Sequence, residues 1–235
     1  MTKKLYLENT YQFYSEGVIL ESGKDEKGLF VILDQTVFYP QGGGQPSDQG
    51  GIKTDQFETK VTHVAQVNKQ IRHYITPIAH DNLVKLKAQC FVNPEIRILN
   101  ARYHTAAHLL GNVVENLNPR IKAFKGHSFP REAYVEFEGD EAVDLTDIQN
   151  AVNTALDKNF RIKIFEIDGL SFEQKFYKLP YKIPENNNFR AMQIGDMLPV
   201  PCGGTHLSST ADIGNITISK IKSKNNILRI SYEVT

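Results

Sequence analysis

NPEIRILNARYHTAAHLLGNVVENLNP, residues 93–119, decides how the rest of the chain is read. Asn93 is a good N-cap and Pro94 suits the first helical position. Ala106, Leu109, Leu110, Val113, Val114 and Leu117 then repeat as an apolar stripe until Pro119 stops the run. One long helix is therefore expected between the two prolines. Beside its stripe stand His104 and His108, a four-residue step that puts both imidazoles on one helical face about a turn apart.

A second motif supplies matching chemistry. PVPCGGTHL (199–207) carries Cys202 and His206 around Gly203 and Gly204, which disfavour helix and point to a tight turn whose backbone can come close to a ligand. Imidazole nitrogen and thiolate sulfur are ligands that Zn²⁺ favours in near-tetrahedral sets, so His104, His108, Cys202 and His206 form a candidate zinc set. With seven His and two Cys in the chain, chance gives roughly 0.2 His pairs and roughly 0.06 Cys-to-His pairs at these spacings. Each motif alone is weak, and the two together are not. A zinc protease of the HExxH kind is excluded, because the residue after His104 is Thr105 where that mechanism needs a glutamate base.

Upstream of the helix the texture is different. VIL at 18–20, LFVIL at 29–33, QIRHYI at 70–75 and NLVKLKAQCFV at 82–92 are short β-like runs broken by turns, which predicts a small barrel-like β domain over residues 1–92. Within it lies FYPQGGGQPSDQG (38–50). It lacks the GKS/GKT ending of a phosphate-binding loop and sits in no GxGxxG fingerprint. Its glycines suit a tight barrel corner, and Gln45 just after them could present an amide to a substrate.

Downstream, residues 93–235 alternate helix and strand. Strands are expected at 133–139, 161–167, 189–195 and in the last two runs, NITISKI and ILRISYEV. An amphipathic helix starts near Asp144 to Thr146, a shorter one lies near 170–177, and Lys224-Asn225-Asn226 makes a hairpin turn. The fold class is α+β: a barrel-like N-terminal domain, then a domain with a long metal-bearing helix and a mixed or antiparallel sheet.

Composition narrows the setting. Lys plus Arg and Asp plus Glu both total 27, so any nucleic-acid partner must be held by local basic patches. Two cysteines, Cys90 and Cys202, argue against a disulfide scaffold and for a reducing compartment. No stretch approaches the roughly 20 apolar residues of a membrane span, and a cytoplasmic location is expected. Candidate RNA contacts are Lys122, Lys125 and Arg131, then Lys175, Lys178 and Lys182, then Lys220, Lys222 and Lys224. His127 and Ser128 in KGHSFP are further pocket candidates.

FYPQGGGQPSDQG, HTAAHLL, CGGTHLSSTADIGNI and SKIKSKNNILRISYEV stand in the order found in freestanding alanyl-tRNA editing proteins, which this chain resembles over nearly its whole length. The resemblance implies an α/β editing domain related to those of alanyl- and threonyl-tRNA synthetases. It implies a zinc-dependent hydrolase that removes wrongly attached serine or glycine from tRNA for alanine. The four motif residues would be the zinc ligands. Gly43, Gly44, Gln45, Thr105, Gly203 and Gly204 would be substrate contacts, and Gln45 and His206 the catalytic candidates. Four protein ligands close a tetrahedral site, so either the ion becomes five-coordinate or one ligand, His206, is loosely held or acts as a base. The alternatives are a deacylase of serine-charged threonine tRNA and a non-catalytic RNA-binding module stapled by zinc.

Overall fold

Buried and exposed side chains alternate over residues 58–62 and 87–92, and the sheet to which these stretches belong closes around a shared core. A computed structural model describes residues 1–79, 82–139, 143–169 and 188–235. It divides into two units, Met1–Ala101 and Arg102–Thr235.

The first unit contains β1 (Lys3–Lys4), β2 (Tyr14–Asp25), β3 (Gly28–Leu33), β4 (Gln35–Thr36), β5 (Gly50–Lys53), β6 (Glu58–Val67), β7 (Gln70–Ile75) and β8 (Lys87–Val92). Six of these close into an antiparallel barrel in the order β2-β3-β7-β6-β5-β8, while β1 and β4 form a short parallel pair. Ile19, Val31, Leu33, Ile52, Val61, Val64, Ile71 and Cys90 fill the interior. β6 escapes a sequence reading because its register shifts between Val61 and His63. That bulge breaks strict alternation, so Val61 and Val64 both face the core although they are three residues apart.

The triple glycine is a hairpin turn. Gly42 N–H donates to Gln45 O at 3.1 Å and Gln45 N–H to Gly42 O at 2.9 Å, with Gly43 and Gly44 between them at φ 55° and 77°. Two successive left-handed residues make the tight turn that suits glycine best. Beyond it Asp48 is fully buried and accepts from Arg97 Nε at 2.9 Å and from Tyr39 N–H at 2.6 Å. The equally buried Arg97 guanidinium also donates to Thr10 O at 2.8 Å and pairs closely with Asp48 through Nη2. This motif acidic residue therefore neutralises a core arginine.

α1 (Pro94–Leu117) runs as the sequence dictates, its N-terminus capped by Asn93 Oδ1 accepting from Ile96 N–H at 3.1 Å. Ala106, Leu109, Leu110, Val113 and Val114 are buried, whereas Leu117 lies on the exposed last turn. The second unit adds β9 (Lys122–His127), β10 (Tyr134–Glu138), α2 (Leu145–Asp157), β11 (Ile162–Asp168), β12 (Asn188–Ile194), β13 (Val200–Pro201), β14 (Ile216–Lys224) and β15 (Ile227–Val234). An antiparallel sheet β14-β15-β10-β9 packs one face on α1: Tyr232 donates to Tyr103 O at 2.8 Å, and a Cβ on Gly111 would lie 3.5 Å from that of Ala123. α2, capped by Asp144, covers the β14 edge, where Gln149 donates to Ile216 O and accepts from Ile218 N–H, both at 2.8 Å. Asn225 and Asn226 take φ 52° and 59° in the β14–β15 turn. A second antiparallel sheet has the order β11-β12-β13. The expected helix near 170–177, with Lys175, Lys178 and Lys182, lies outside the described residues. No helix among those described is long and apolar enough to cross a membrane.

Candidate metal centre

His104 and His108 project from the middle of α1, and the chain leaving β13 brings Cys202 and His206 to them. Two ties fix that loop. Arg190, on β12, donates from Nη1 to Cys202 O at 2.7 Å and to Gly204 O at 2.9 Å, while Cys202 N–H donates to Arg190 O at 3.0 Å. On the helix side, the fully buried Thr105 hydroxyl accepts from Leu207 N–H at 3.2 Å. Loop and helix are thereby locked at and beside the candidate ligands.

The four candidate ligand atoms all lie within 4.8 Å of one another. Cys202 Sγ is 3.6 Å from His104 Nε2 and 3.2 Å from His206 Nε2. Ring centroids are 4.6 Å apart for His104–His206, 5.0 Å for His104–His108 and 5.2 Å for His108–His206. A tetrahedral zinc with ordinary Zn–N and Zn–S bonds separates its ligands by about 3.3–3.6 Å, so the set needs only small adjustments to close on one ion. The residues fit the metal in type, number and spacing.

Electrostatics favour the same conclusion. Burial pushes His108 down to about 4 and holds His104 and His206 well below the usual imidazole range. Neighbouring imidazoles and Arg190 add to the depression at His206. All three rings are thus neutral near pH 7, with lone pairs available for a cation. Burial raises the Cys202 thiol, while the Gly204 N–H, 3.4 Å from Sγ, and the Arg190 charge oppose that rise. A divalent ion among these groups would outweigh the remaining penalty and hold the sulfur as thiolate. His104 and His206 are 3 % exposed, and His108 and Cys202 are only partly buried, so the latter pair marks the accessible side.

The remaining sequence candidates are described within their own units. Gly43 and Gly44 form the barrel-unit hairpin turn, and Gln45 beside them is fully buried. Gly203 is exposed, and a Cβ built there meets nothing within 4 Å, whereas Gly204 is buried. Lys220, Lys222 and Lys224 are exposed on β14, Lys122 and Lys125 on β9, and Arg131 in the following loop at φ 73°. Lys122 leans toward Glu115, 3.9 Å away. His127 stacks on neighbouring rings, and Ser128 is buried. Arg190 is the residue that sequence reasoning missed. Its signal was a cation within the apolar run of FRAMQIG, twelve positions before Cys202.

Two family models match the chain: tRNA synthetases class II (A) over residues 5–94, and the second additional domain of threonyl and alanyl tRNA synthetases over residues 190–230. The second span contains Arg190, Cys202 and His206. An alanyl-tRNA editing protein AlaX-M from Methanosarcina barkeri is 30 % identical over 99 % of this chain and 98 % of its own length. AlaX-L from Pyrococcus horikoshii is 30 % identical over 99 % of this chain, which spans 58 % of that longer relative. An alanine–tRNA ligase from Metallosphaera sedula is 30 % identical over 98 % of this chain and 26 % of the ligase. With a clustered His/Cys set in its second unit and end-to-end similarity to AlaX-M, the chain belongs to the family of alanyl-tRNA editing proteins.

Proposed function

We propose that this chain is a cytoplasmic, trans-acting deacylase that hydrolyses the ester of serine, and of glycine, wrongly attached to tRNA for alanine, with a zinc ion held by His104, His108, Cys202 and His206. The observation that carries this reading is the convergence of three neutral imidazoles and one thiol within 4.8 Å in a chain of the editing family. The need for such an enzyme is physical. An activating pocket for alanine cannot strongly reject an amino acid that merely adds a hydroxyl, so a second, hydrolytic site supplies the missing discrimination.

Bound zinc would supply Lewis-acid polarisation of the ester or its neighbouring groups and ease ionisation of a nucleophilic water. The protein's own residues do the rest. Arg190 holds the Cys202 and Gly204 carbonyls and so fixes the loop that must face substrate. Thr105 ties Leu207 to α1, and this packing role accompanies the substrate contact proposed for it. Exposed Gly203, with no side chain in the way, lets the acyl group approach the Cys202–His108 side. Of the two roles open to His206, its burial and its 3.2 Å approach to Cys202 support the ligand role over that of a free base. Gly43, Gly44 and Gln45 are assigned to substrate by motif, and Gln45→Ala tests that assignment. Lys122, Lys125, Arg131, Lys220, Lys222 and Lys224 are the proposed phosphate contacts.

The test is incubation with serine-charged and alanine-charged tRNA for alanine in the presence of zinc. Serine release with the correct ester spared is expected, and no serine release removes the proposal. Because the matched domain model spans threonyl as well as alanyl synthetases, serine-charged threonine tRNA is the control substrate, and preference for it would reassign the tRNA. A purely structural metal would instead make Cys202→Ala unfold the protein, where the catalytic reading expects a folded, inactive one.

A further inference from the structure

The sheet face turned away from α1 carries an unusual combination of groups among the described residues. Cross-strand register places Lys222, Arg229, Glu136 and Lys125 in one row across β14, β15, β10 and β9, and Lys220, Ser231, Tyr134 and His127 in the next. These rows hold four cations and one carboxylate in a chain of zero net charge. That carboxylate is engaged twice, closely by Arg229 and at 3.3 Å by Lys125, so it orders the cations rather than opposing an incoming anion. Lys220, Lys222 and Lys224 occupy every second position of β14, about 6.8 Å apart, a stride that suits successive phosphates of an extended strand. Among the described residues, Glu138 in the next row, Glu115 beside Lys122 of that row, Glu233 toward the end of β15 and Glu132 beside His127 are carboxylates near the patch.

A column of flat groups crosses the same face. The Phe129 and His127 rings stack at 4.3 Å with 2° between their planes, His127 lies 5.1 Å from Tyr134, and the Arg229 guanidinium sits 4.1 Å over the Tyr134 ring. Phe129 ends the column and is half-buried. Stacked rings beside cations on a sheet face are what unpaired nucleotides recognise, since every base offers a π-face and every linkage a phosphate. A paired stem presents phosphates but no free base face.

We infer that this face binds single-stranded RNA, with an unpaired base continuing the stack on Phe129 and its flanking phosphates held by Lys220, Lys222, Lys224 and Arg229. The inference rests on the proposed function for its choice of RNA as partner, but binding here requires neither zinc nor hydrolysis.

The chain contains no tryptophan, so Phe129→Trp introduces a single reporter at the end of the column. The experiment titrates the full-length variant with a short, unpaired RNA that carries no amino acid and with a blunt RNA duplex. Saturable quenching of the indole by the unpaired RNA alone is expected. Adding Lys220→Ala, Lys222→Ala and Lys224→Ala should weaken that titration about tenfold or more and flatten its log–log salt dependence by about 2, since each phosphate contact contributes about 0.7 to the slope. No quenching, equal quenching by the duplex, or an unchanged salt slope in the triple variant overturns the inference. Serine-tRNA hydrolysis measured alongside separates the two readings. Quenching without hydrolysis removes the proposed enzyme and leaves the platform, whereas hydrolysis without quenching removes the platform alone.

Discussion

Arg190→Met should weaken zinc binding although Arg190 is not a ligand. One guanidinium nitrogen donates to the carbonyls of both Cys202 and Gly204, at 2.7 and 2.9 Å, and no apolar side chain can replace it. Hydrogen bonds from a charged donor contribute about 1.5 kcal/mol or more each, and the side chain is only partly buried, so water recovers some of that on removal. A net cost of about 1.4–2.8 kcal/mol in holding the loop corresponds to a 10–100-fold loss of metal affinity, the range typical of residues that orient ligands from behind. Arg190→Lys, which keeps the charge but loses the planar fork, should fall between the two. Competition against a chromophoric chelator of known affinity measures this directly. If Arg190→Met binds zinc as tightly as the unaltered protein, the loop is ordered by other contacts and the positioning role is wrong.

Other consequences are open to simpler assays. Gly203→Ala should leave stability within about 0.5 kcal/mol, because its methyl group enters open space, yet reduce serine-tRNA hydrolysis at least tenfold if the acyl group passes there; unchanged turnover would show that it does not. Asp48→Asn should destabilise the protein by about 3–5 kcal/mol in urea unfolding, since it leaves the fully buried Arg97 guanidinium without its counter-charge, and a change below about 1 kcal/mol would contradict that reading. Acid should weaken the fold through His73, which is fully buried between Thr36 Oγ1 at 2.8 Å and Val31 O at 3.1 Å and pushed down to about 4. Between about 6.5 and 4 the unfolded chain binds the proton that the folded one refuses. His73 therefore contributes a loss of about 3 kcal/mol as pH falls through that window and none above it, and a flat stability profile there would refute the assignment.

Much of this architecture was legible in the chain because its strongest signals are local. The Asn93 cap, Pro94, the apolar stripe and Pro119 together specify α1, and a four-residue histidine step on a helix can only put both rings on one side. Asn225-Asn226 declared its turn through residues that tolerate left-handed backbone. β6 was hidden because a bulge moves Val64 into phase with Val61, and β5 because Gly50 and Gly51 look like loop while pairing on both sides. β9 was hidden by its lysines, which mark a strand with few buried side chains. The roles of Asp48 and Arg97 depend on a contact across 49 positions, and that of Arg190 on backbone carbonyls, which carry no sequence signature. Periodicity reports which way a side chain points; it is silent on what it meets.

The central proposal, one zinc ion held jointly by α1 and the Cys202–His206 loop, is tested most directly by calorimetric titration of metal-free protein with zinc in two buffers of different ionisation enthalpy near pH 7. Three imidazoles already neutral and one thiol still protonated should give one ion per chain and release about one proton, a release absent from Cys202→Ala. Zinc bound without proton release, or bound equally well by Cys202→Ala and His104→Ala, would mean that these four side chains do not share a metal.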